Sequence, residues 1–536
     1  MQKSSKLKIG LSRTGIYEGL NPTVTLVSKT IIALLVVYAV SFPDNAVRIL
    51  GQINSALLAT FNSYYIYAVA FFLIFCLGCC LSPYGRLCLG RDDEKPEFSF
   101  FSWFSMMFSA GMGIGLMFYS IGEPLYHFQS NPALMMSGAE GANAEAVPSA
   151  MRYTLLHWGL HAWAVYVAAG LAMAYFAYRK GQPLTIRSTL QPLFGEKLNG
   201  PVGHIVDIVA VVATTLGVAT TMGAGVTQLV SGVEFVFDSG SLVSDAGTPT
   251  AAALIITLLV VMLLSTISAL TGVTRGVKWL SQINMYLSFG LLGFFILFGS
   301  TLYGLQLFGS SLLDYTANLI PLTFSVWSSS SEIGGWQTGW TILYWAWWIA
   351  FAPFVGLFLA RISRGRTIRE FVIGCVLVPA LTCFAWMAFL GGTGLELELS
   401  GAAQGAITQA VNDNIASVLF VTIDLLNSGT LGTLVKLASI ILIVTYLVTS
   451  ADSGVLVLNT IMAGGNRDPL PKHRIVWGGI LTLVVGSLLL AGGVSAIQKA
   501  MIIGALPFSM VMVLMCVAML KSLLTTEKQA AAVTAG

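Results

Sequence analysis

Three tryptophans, a tyrosine and two phenylalanines fall in the stretch LYWAWWIAFAPF, Leu343 to Phe354. At about 100° per residue in a helix, Trp347, Trp348 and Phe351 share an arc of about 100° and Tyr344 joins them. Trp345 points elsewhere and reads as packing. A second cluster lies in HWGLHAWAVY, where Trp158, Trp163 and Tyr166 share an arc of about 140°. Single rings of this kind are packing residues, but two clusters in mid-segment suggest a ligand. Tryptophan and tyrosine faces suit a cation without an N–H donor, such as a trimethylammonium or sulfonium group. Such a cation finds no hydrogen bonds but is attracted to ring quadrupoles, by about 2 kcal/mol or more when desolvated. A buried carboxylate would also capture any amine or metal, so a box of rings is the more selective device.

Two other motifs carry polar chemistry. FSAGMGIGLMFYSIGEPL places Gly111, Gly113 and Gly115 at alternate positions, followed by Gly122 and Pro124. Glycines in membrane helices commonly serve close packing. The alternative is a broken helix whose free carbonyls face a cation and whose free amides face an anionic group. TYLVTSADSG offers the hydroxyls of Thr449, Ser450 and Ser453. Such hydroxyls usually bond back to their own helix; the functional alternative is hard oxygen ligation of sodium. Asp452 suits pairing with a basic group or a helix cap better than ion binding. Asn284–Met285 and the threonines Thr214, Thr215, Thr220 and Thr221 are further lining candidates. His157 and His161 flank Trp158, and a hydrogen-bonded structural role is favoured over proton relay for each.

The elements that must position these residues are membrane helices. The chain has 536 residues, 56% hydrophobic and 10% charged, against roughly 25% charged in soluble domains. Apolar runs of about 20 residues recur from end to end. They are continuous rather than alternating, which excludes an outer-membrane barrel. The fold class is therefore all-α and polytopic, with about twelve spans near 23–41, 62–81, 101–121, 152–176, 205–236, 250–271, 279–303, 339–360, 371–392, 431–462, 474–493 and 499–520. The first is read as a retained span, because no small-residue cleavage site follows it. The segment 401–428 reads as an external amphipathic helix. A net charge of +3 does not suggest nucleic acid, and the seven cysteines form no disulfide or metal pattern.

Lysine and arginine set the orientation. They recur in the N-tail (Lys3, Lys6, Lys8, Arg13), at Arg86, Arg91 and Lys95, at Arg179, Lys180 and Arg187, at Arg275 and Lys278, in RISRGRTIRE and in NRDPLPKHR. Loop 122–149 has none, and the charges in 237–249 are all acidic. Both termini are expected in the cytoplasm. The glycine-interrupted helix near 108–125 and a proline-interrupted helix at 345–358 open two corresponding five-span units. Paired broken helices of this kind point to a transporter with inverted repeats. A channel would need a continuous polar pore lining, and an intramembrane hydrolase would need a histidine spaced to serve Ser450 or Ser453. No enzyme is expected.

With GMGIGLMFY…EPL (111–125), HWGLHAWAVY (157–166), SQINMYLS (281–288), YWAWWIAFAPFVGLFLARISRGRTIREF (344–371) and VTSADSG (448–454) in hand, the chain resembles the betaine/choline/carnitine transporter family along nearly its whole length. The resemblance implies a LeuT-like core of two inverted five-helix repeats behind two extra helices, often as a homotrimer. The expected division is a cytoplasmic N-tail 1–22, two extra helices and a basic loop 23–100, a first repeat 101–306, an external segment 307–338, a second repeat 339–520 and a short cytoplasmic C-tail 521–536. The expected location is the bacterial inner membrane, with lipid and a small zwitterion as partners.

Carried over by position, the family's aromatic box falls on Trp158, Trp163, Tyr166 and Trp348, with Trp347 and Phe351 along the route. Gly111, Met112, Gly113 and Gly115 line the broken helix. The principal sodium site of sodium-coupled members falls on Thr449, Ser450 and carbonyls around Ser109, Met112 and Tyr446. A second sodium site falls on Thr214. Gly115 matches betaine carriers, where proton-coupled choline carriers tend to have aspartate. Met285 stands where sodium-independent carnitine exchangers carry arginine. Phe351 stands where many members have tryptophan, and Val218 where the second sodium site would want threonine. The resemblance thus implies sodium symport of glycine betaine or dimethylsulfoniopropionate, with no organic cofactor. A choline or carnitine/γ-butyrobetaine carrier, proton-coupled or exchanging, is the alternative. The short C-tail does not suggest strong osmosensing.

Overall fold

A computed structural model describes residues 7–111, 113–244, 247–271, 276–466 and 468–534, without the side chains of 108–111, 269–271, 276–278 and 526–534. It is built from helices. In chain order these include α1 (Pro22–Ser41), α2 (Pro43–Leu81), α3 (Phe100–Gly111), α4 (Ile114–Tyr119), α5 (Gly122–Gln129), α6 (Val147–Trp158), α7 (Leu160–Ala174) and α8 (Pro201–Phe237). They continue with α9 (Ala251–Thr271), α10 (Gly276–Phe298), α11 (Thr301–Ala317), α12 (Leu343–Ile362), α13 (Ile368–Trp386), α14 (Thr430–Met462) and α15 (Pro471–Thr534). Among the described residues, eleven helical stretches are long and apolar enough to cross a membrane. One is α15, which bends at Gly492 and Gly493, where the backbone leaves helical angles, and so supplies two spans. The broken pair α3–α4 supplies a further one. This is a polytopic membrane protein of about twelve spans, as composition and apolar length predict.

The lipid-facing and buried helices separate as membrane physics requires. α1 leaves Leu26, Leu34, Val37 and Val40 exposed, and α9 leaves Ile256, Leu259, Val260 and Leu263 exposed. These apolar surfaces suit lipid tails. α7 and α12 are buried almost throughout and pack tightly: a side chain on Gly170 would come within 2.9 Å of the Gly356 carbonyl oxygen. Close approach of backbones at small residues is how helices associate without a hydrophobic driving force between them.

The basic loops gather at one end of the bundle. Arg179 pairs with Asp92 at 2.7 Å, Arg364 with Glu94 at 2.6 Å and Lys472 with Glu18 at 3.2 Å. Lys521 Nζ donates to the Pro192 carbonyl at 2.8 Å. The lysine-poor and arginine-poor loops meet at the other end, where Asn412 bonds Gln129 and Asn414 bonds the Gly247 carbonyl. The segment Ala406–Leu426 lies there. It is long and apolar enough to rank as a span, but these bonds hold it against loops of that end, in keeping with an external amphipathic helix.

Three local expectations change. The second span is longer than its apolar run suggests, because α2 extends back to Pro43. The proline-interrupted helix is not interrupted: Pro353 sits inside a continuous α12, preceded by a π turn at Thr338–Ile342. Neighbouring helices bury that face of α12, and tertiary packing there outweighs the helix-breaking tendency of proline. The fourth span, which reads as one helix, is broken at Gly159 (φ −97°, ψ −141°) between α6 and α7. A Cβ at Gly159 would lie 2.4 Å from the Leu155 carbonyl oxygen and 2.7 Å from the Phe384 ring, so only glycine fits there.

Candidate functional site

A cavity of about 360 Å³ lies at the middle of the bundle. Trp158, Trp163, Tyr166, Trp347, Trp348 and Phe351 all line it, as do Gly113, Gly115, Tyr446, Thr449 and Ser450. From the rings it runs past Phe354, Phe358, Ser281 and Ser453 toward the basic end of the bundle. Gly113 is the extended residue (φ −174°, ψ −174°) between α3 and α4, so the glycine motif does break the helix where it meets the cavity. Met112 lies outside the described residues, as does the side chain of Ser109, and Gly111 ends α3.

The ring geometry is compact. Trp347 and Trp348 stack with centroids 5.3 Å apart. Trp158 stands edge-on to Trp348 at 5.2 Å and 70°, and Tyr166 stands edge-on to it at 6.0 Å and 73°. Trp163 packs against Tyr166 at 5.5 Å. Flat and upright rings together present π faces to one space, which a compact cation can fill. Gly115 makes the room: a Cβ there would lie 2.8 Å from Trp158 Cη2 and 3.3 Å from Trp347 Cη2.

The break at Gly159 also serves the box. A helix end leaves its last carbonyls without intrahelical partners. The carbonyl of His157, in the last turn of α6, accepts the indole N–H of Trp348 at 2.9 Å. The amide of Leu160, at the start of α7, donates to the Tyr315 hydroxyl at 3.3 Å. Trp158 Nε1 donates to Glu123 Oε2 at 2.7 Å.

At the end opposite the basic loops the cavity is sealed by a second aromatic layer. Trp340 packs on Tyr126 and His127, each at 4.7 Å. Tyr344 lies between Tyr119 at 5.6 Å and Trp158 at 5.4 Å. Trp336 covers Tyr153 and His127 at 5.0 Å each. On that side these rings cover the cavity.

Hydroxyl oxygens mark its polar margin. Thr449 Oγ1 donates to the carbonyls of Thr445 (2.9 Å) and Tyr446 (3.1 Å), and receives the amide of Asn284 at 3.3 Å. Asn284 Oδ1 is buried without a partner among the described residues. These oxygens, with Ser450 beside them, are hard donors suited to an alkali cation. Thr214 is elsewhere: its hydroxyl donates to the Ala210 carbonyl at 2.7 Å, and it does not line the cavity, whereas Thr221 does. Asp452 accepts from Ser268 at 3.1 Å and shares a small pocket with Arg474, whose guanidinium pairs with Asp468 at 2.7 Å. His161 bonds Thr323 at 2.9 Å and stacks on Trp345, so both are structural, as expected.

The residue sequence reasoning missed is Glu123. It appears in the sequence as an acid of loop 122–149, but its side chain is fully buried. The only signal was its place beside Pro124 at the end of the glycine motif.

A bundle of membrane helices around a closed-ended central cavity is the architecture of a carrier. The betaine/carnitine/choline (BCCT) family transporter model matches residues 23–528. The "Probable glycine betaine transporter" of Desulfitobacterium hafniense is 40% identical over 94% of this chain and 97% of its own length. The glycine betaine transporter OpuD of Bacillus subtilis is 38% identical over 92% of both chains. The "Osmo-dependent choline transporter BetT2" of Acinetobacter baylyi is 38% identical over 96% of this chain and 73% of its own length. The chain belongs to the BCCT family of transporters and is not an enzyme.

Proposed function

We propose that this transporter carries a small zwitterion with a quaternary ammonium or sulfonium group, glycine betaine or dimethylsulfoniopropionate, by sodium symport. The observation that carries this reading is the closure of five rings, Trp158, Trp163, Tyr166, Trp347 and Trp348, on one cavity that also meets the broken α3–α4 helix. The rings take the cation. Free backbone groups at the break suit the carboxylate. Gly115 brings no acidic side chain to the cavity wall, and Glu123 does not line it, which favours a zwitterion over a simple cation.

Sodium, as co-transported cargo, would use Thr449, Ser450 and the Tyr446 carbonyl, with carbonyls near Ser109 and Met112 completing the shell. Thr214 is the place for a second ion, but unlike Thr449 it does not line the cavity, so a single sodium is the simpler reading. The units 101–306 and 339–520 would form the two inverted repeats, and the bundle containing α3, α6–α7, α12 and α13 would rock against the rest. With the basic end in the cytoplasm, the cavity faces inward. Sodium binding would order the broken helix, and linkage requires substrate to tighten sodium equally. A homotrimer in the bacterial inner membrane, with both termini cytoplasmic, completes the proposal.

The test is uptake of labelled glycine betaine and dimethylsulfoniopropionate into proteoliposomes with and without an inward sodium gradient. Gradient-stimulated uptake supports the reading; equal uptake in both removes the coupling. The relative named as a choline transporter supports choline or carnitine as the second candidate. Acceleration by substrate-loaded vesicles without any ion gradient would favour it as an exchanger.

A further inference from the structure

Glu123 sits directly behind the aromatic box and does not line the cavity. Its oxygens meet four groups. Oε2 accepts from Trp158 Nε1 at 2.7 Å and is within hydrogen-bond distance of the Tyr344 hydroxyl. Oε1 lies 2.6 Å from His157 Nδ1 and 3.3 Å from His127 Nε2. All five side chains are buried. A carboxylate inside a membrane protein is expensive and marks function by default. Here three of the four partners also bear on the box. Trp158 is one wall. Tyr344 packs on Trp347 and Trp348. His157, held at its other nitrogen by Thr341 at 3.0 Å, presents the carbonyl that fixes Trp348.

An indole N–H that donates to an anion makes a short, charge-assisted bond. In a low-dielectric interior such a bond polarises its donor cooperatively. Electron density shifts toward the indole ring, whose other edge faces the cavity. Purely structural anchoring of Trp158 would need only a neutral acceptor; a charged one makes the π face a stronger cation receptor.

We propose that Glu123 is a specificity-determining positioning residue. Through the Trp158 indole it enriches the π face that receives a quaternary cation, so that the site discriminates positive charge from shape. This rests on the proposed transport of such a cation.

Glu123→Gln is the main variant. Glutamine has the same shape, its oxygen can accept from Trp158, and its amide can face the histidines in a suitable tautomer. Binding to the purified full chain in sodium buffer is measured by calorimetry for two cations, glycine betaine and choline. Competition is measured for their uncharged-headgroup isosteres, 3,3-dimethylbutanoate and 3,3-dimethylbutan-1-ol. The expected result is a loss of about fivefold, roughly 1 kcal/mol, for the cations alone. In a Trp158→Phe background, where the N–H is gone, Glu123→Gln should cost the cations less than twofold. Equal weakening of cation and isostere would make Glu123 a scaffold only and overturn the proposal, as would an unchanged cation affinity. Failure of the wild type to bind either cation would instead refute the functional reading beneath it. Should Glu123→Gln not yield monodisperse protein, Glu123→Asp, which withdraws the carboxylate from Trp158, must show the same cation-selective loss.

Discussion

Trp347 and Trp348, neighbours in sequence, stack with their planes 7° apart. Adjacent helical residues normally diverge by about 100°, so long side chains have turned toward one space. The indole N–H of Trp348 is engaged by the His157 carbonyl; that of Trp347 has no partner among the described residues. The pair therefore divides into a ring anchored by a hydrogen bond and a ring held by contacts with other rings.

Replacing the anchored ring should be the more damaging change. Trp348→Leu should weaken glycine betaine binding by about 30-fold, close to 2 kcal/mol, with monodisperse behaviour on size exclusion retained. Trp345→Phe, at a ring stacked on His161 outside the cavity, should leave the affinity within about twofold. Calorimetry on both variants checks the contrast.

Gly115→Ala places a methyl where Trp158 Cη2 would be 2.8 Å away. Overpacking of a tight site costs about 1–3 kcal/mol, and here it would displace two box rings. Uptake at low substrate concentration should fall at least about tenfold, and the loss should appear mainly in KM.

Phe351→Trp restores a larger π surface on the cavity wall, and tryptophan is the stronger cation–π partner. Affinity for glycine betaine should rise about threefold. The constraint is Gly217 of α8, where even an added Cβ would lie 3.0 Å from the Phe351 ring. Because Phe351 already packs against Gly217, the larger ring must turn toward the cavity, and a fall in affinity would mean that it obstructs the substrate instead of binding it.

Thr449→Val removes a hydroxyl at the polar margin while preserving shape. The sodium concentration for half-maximal uptake should rise about tenfold, with the maximal rate approached at high sodium. Thr214→Val loses only a bond to its own helix and should shift sodium activation by less than about twofold. Sodium titrations of uptake separate the two.

Arg187 and Asp207 form a fully buried ion pair at 2.7 Å, with Arg187 Nη1 also donating to the Leu198 carbonyl at 3.2 Å. Removing one partner leaves an uncompensated charge, at a cost of about 3–5 kcal/mol. Arg187→Met should lower the thermal denaturation midpoint in detergent, and adding Asp207→Leu should recover much of it.

Much of this site follows from the sequence because helical periodicity acts over a few residues. Trp347, Trp348 and Phe351 share a face through their spacing alone, and the alternating glycines raise a break as one of two readings, which the structure locates at Gly113. The count of spans follows from apolar length, since the bilayer imposes a fixed distance on every helix. Local proline chemistry misled at Pro353, because burial within the bundle kept α12 continuous.

Glu123 was beyond that reach. His127 is only four residues away, but the other three partners lie 34, 35 and 221 positions away, and a lone acid beside a loop proline reads as solvated. At the break, Gly159 faces the Phe384 ring of another helix, which leaves no room for a Cβ. The seal formed by Trp336, Trp340 and Tyr126 likewise joins separate segments. By itself the sequence determined which residues could bind a cation and that they lie in membrane helices. Only the tertiary structure decided which of them meet, which end of the cavity is shut and where the buried charge goes. Those outcomes depend on side-chain contacts between helices, which no periodicity along a single helix encodes.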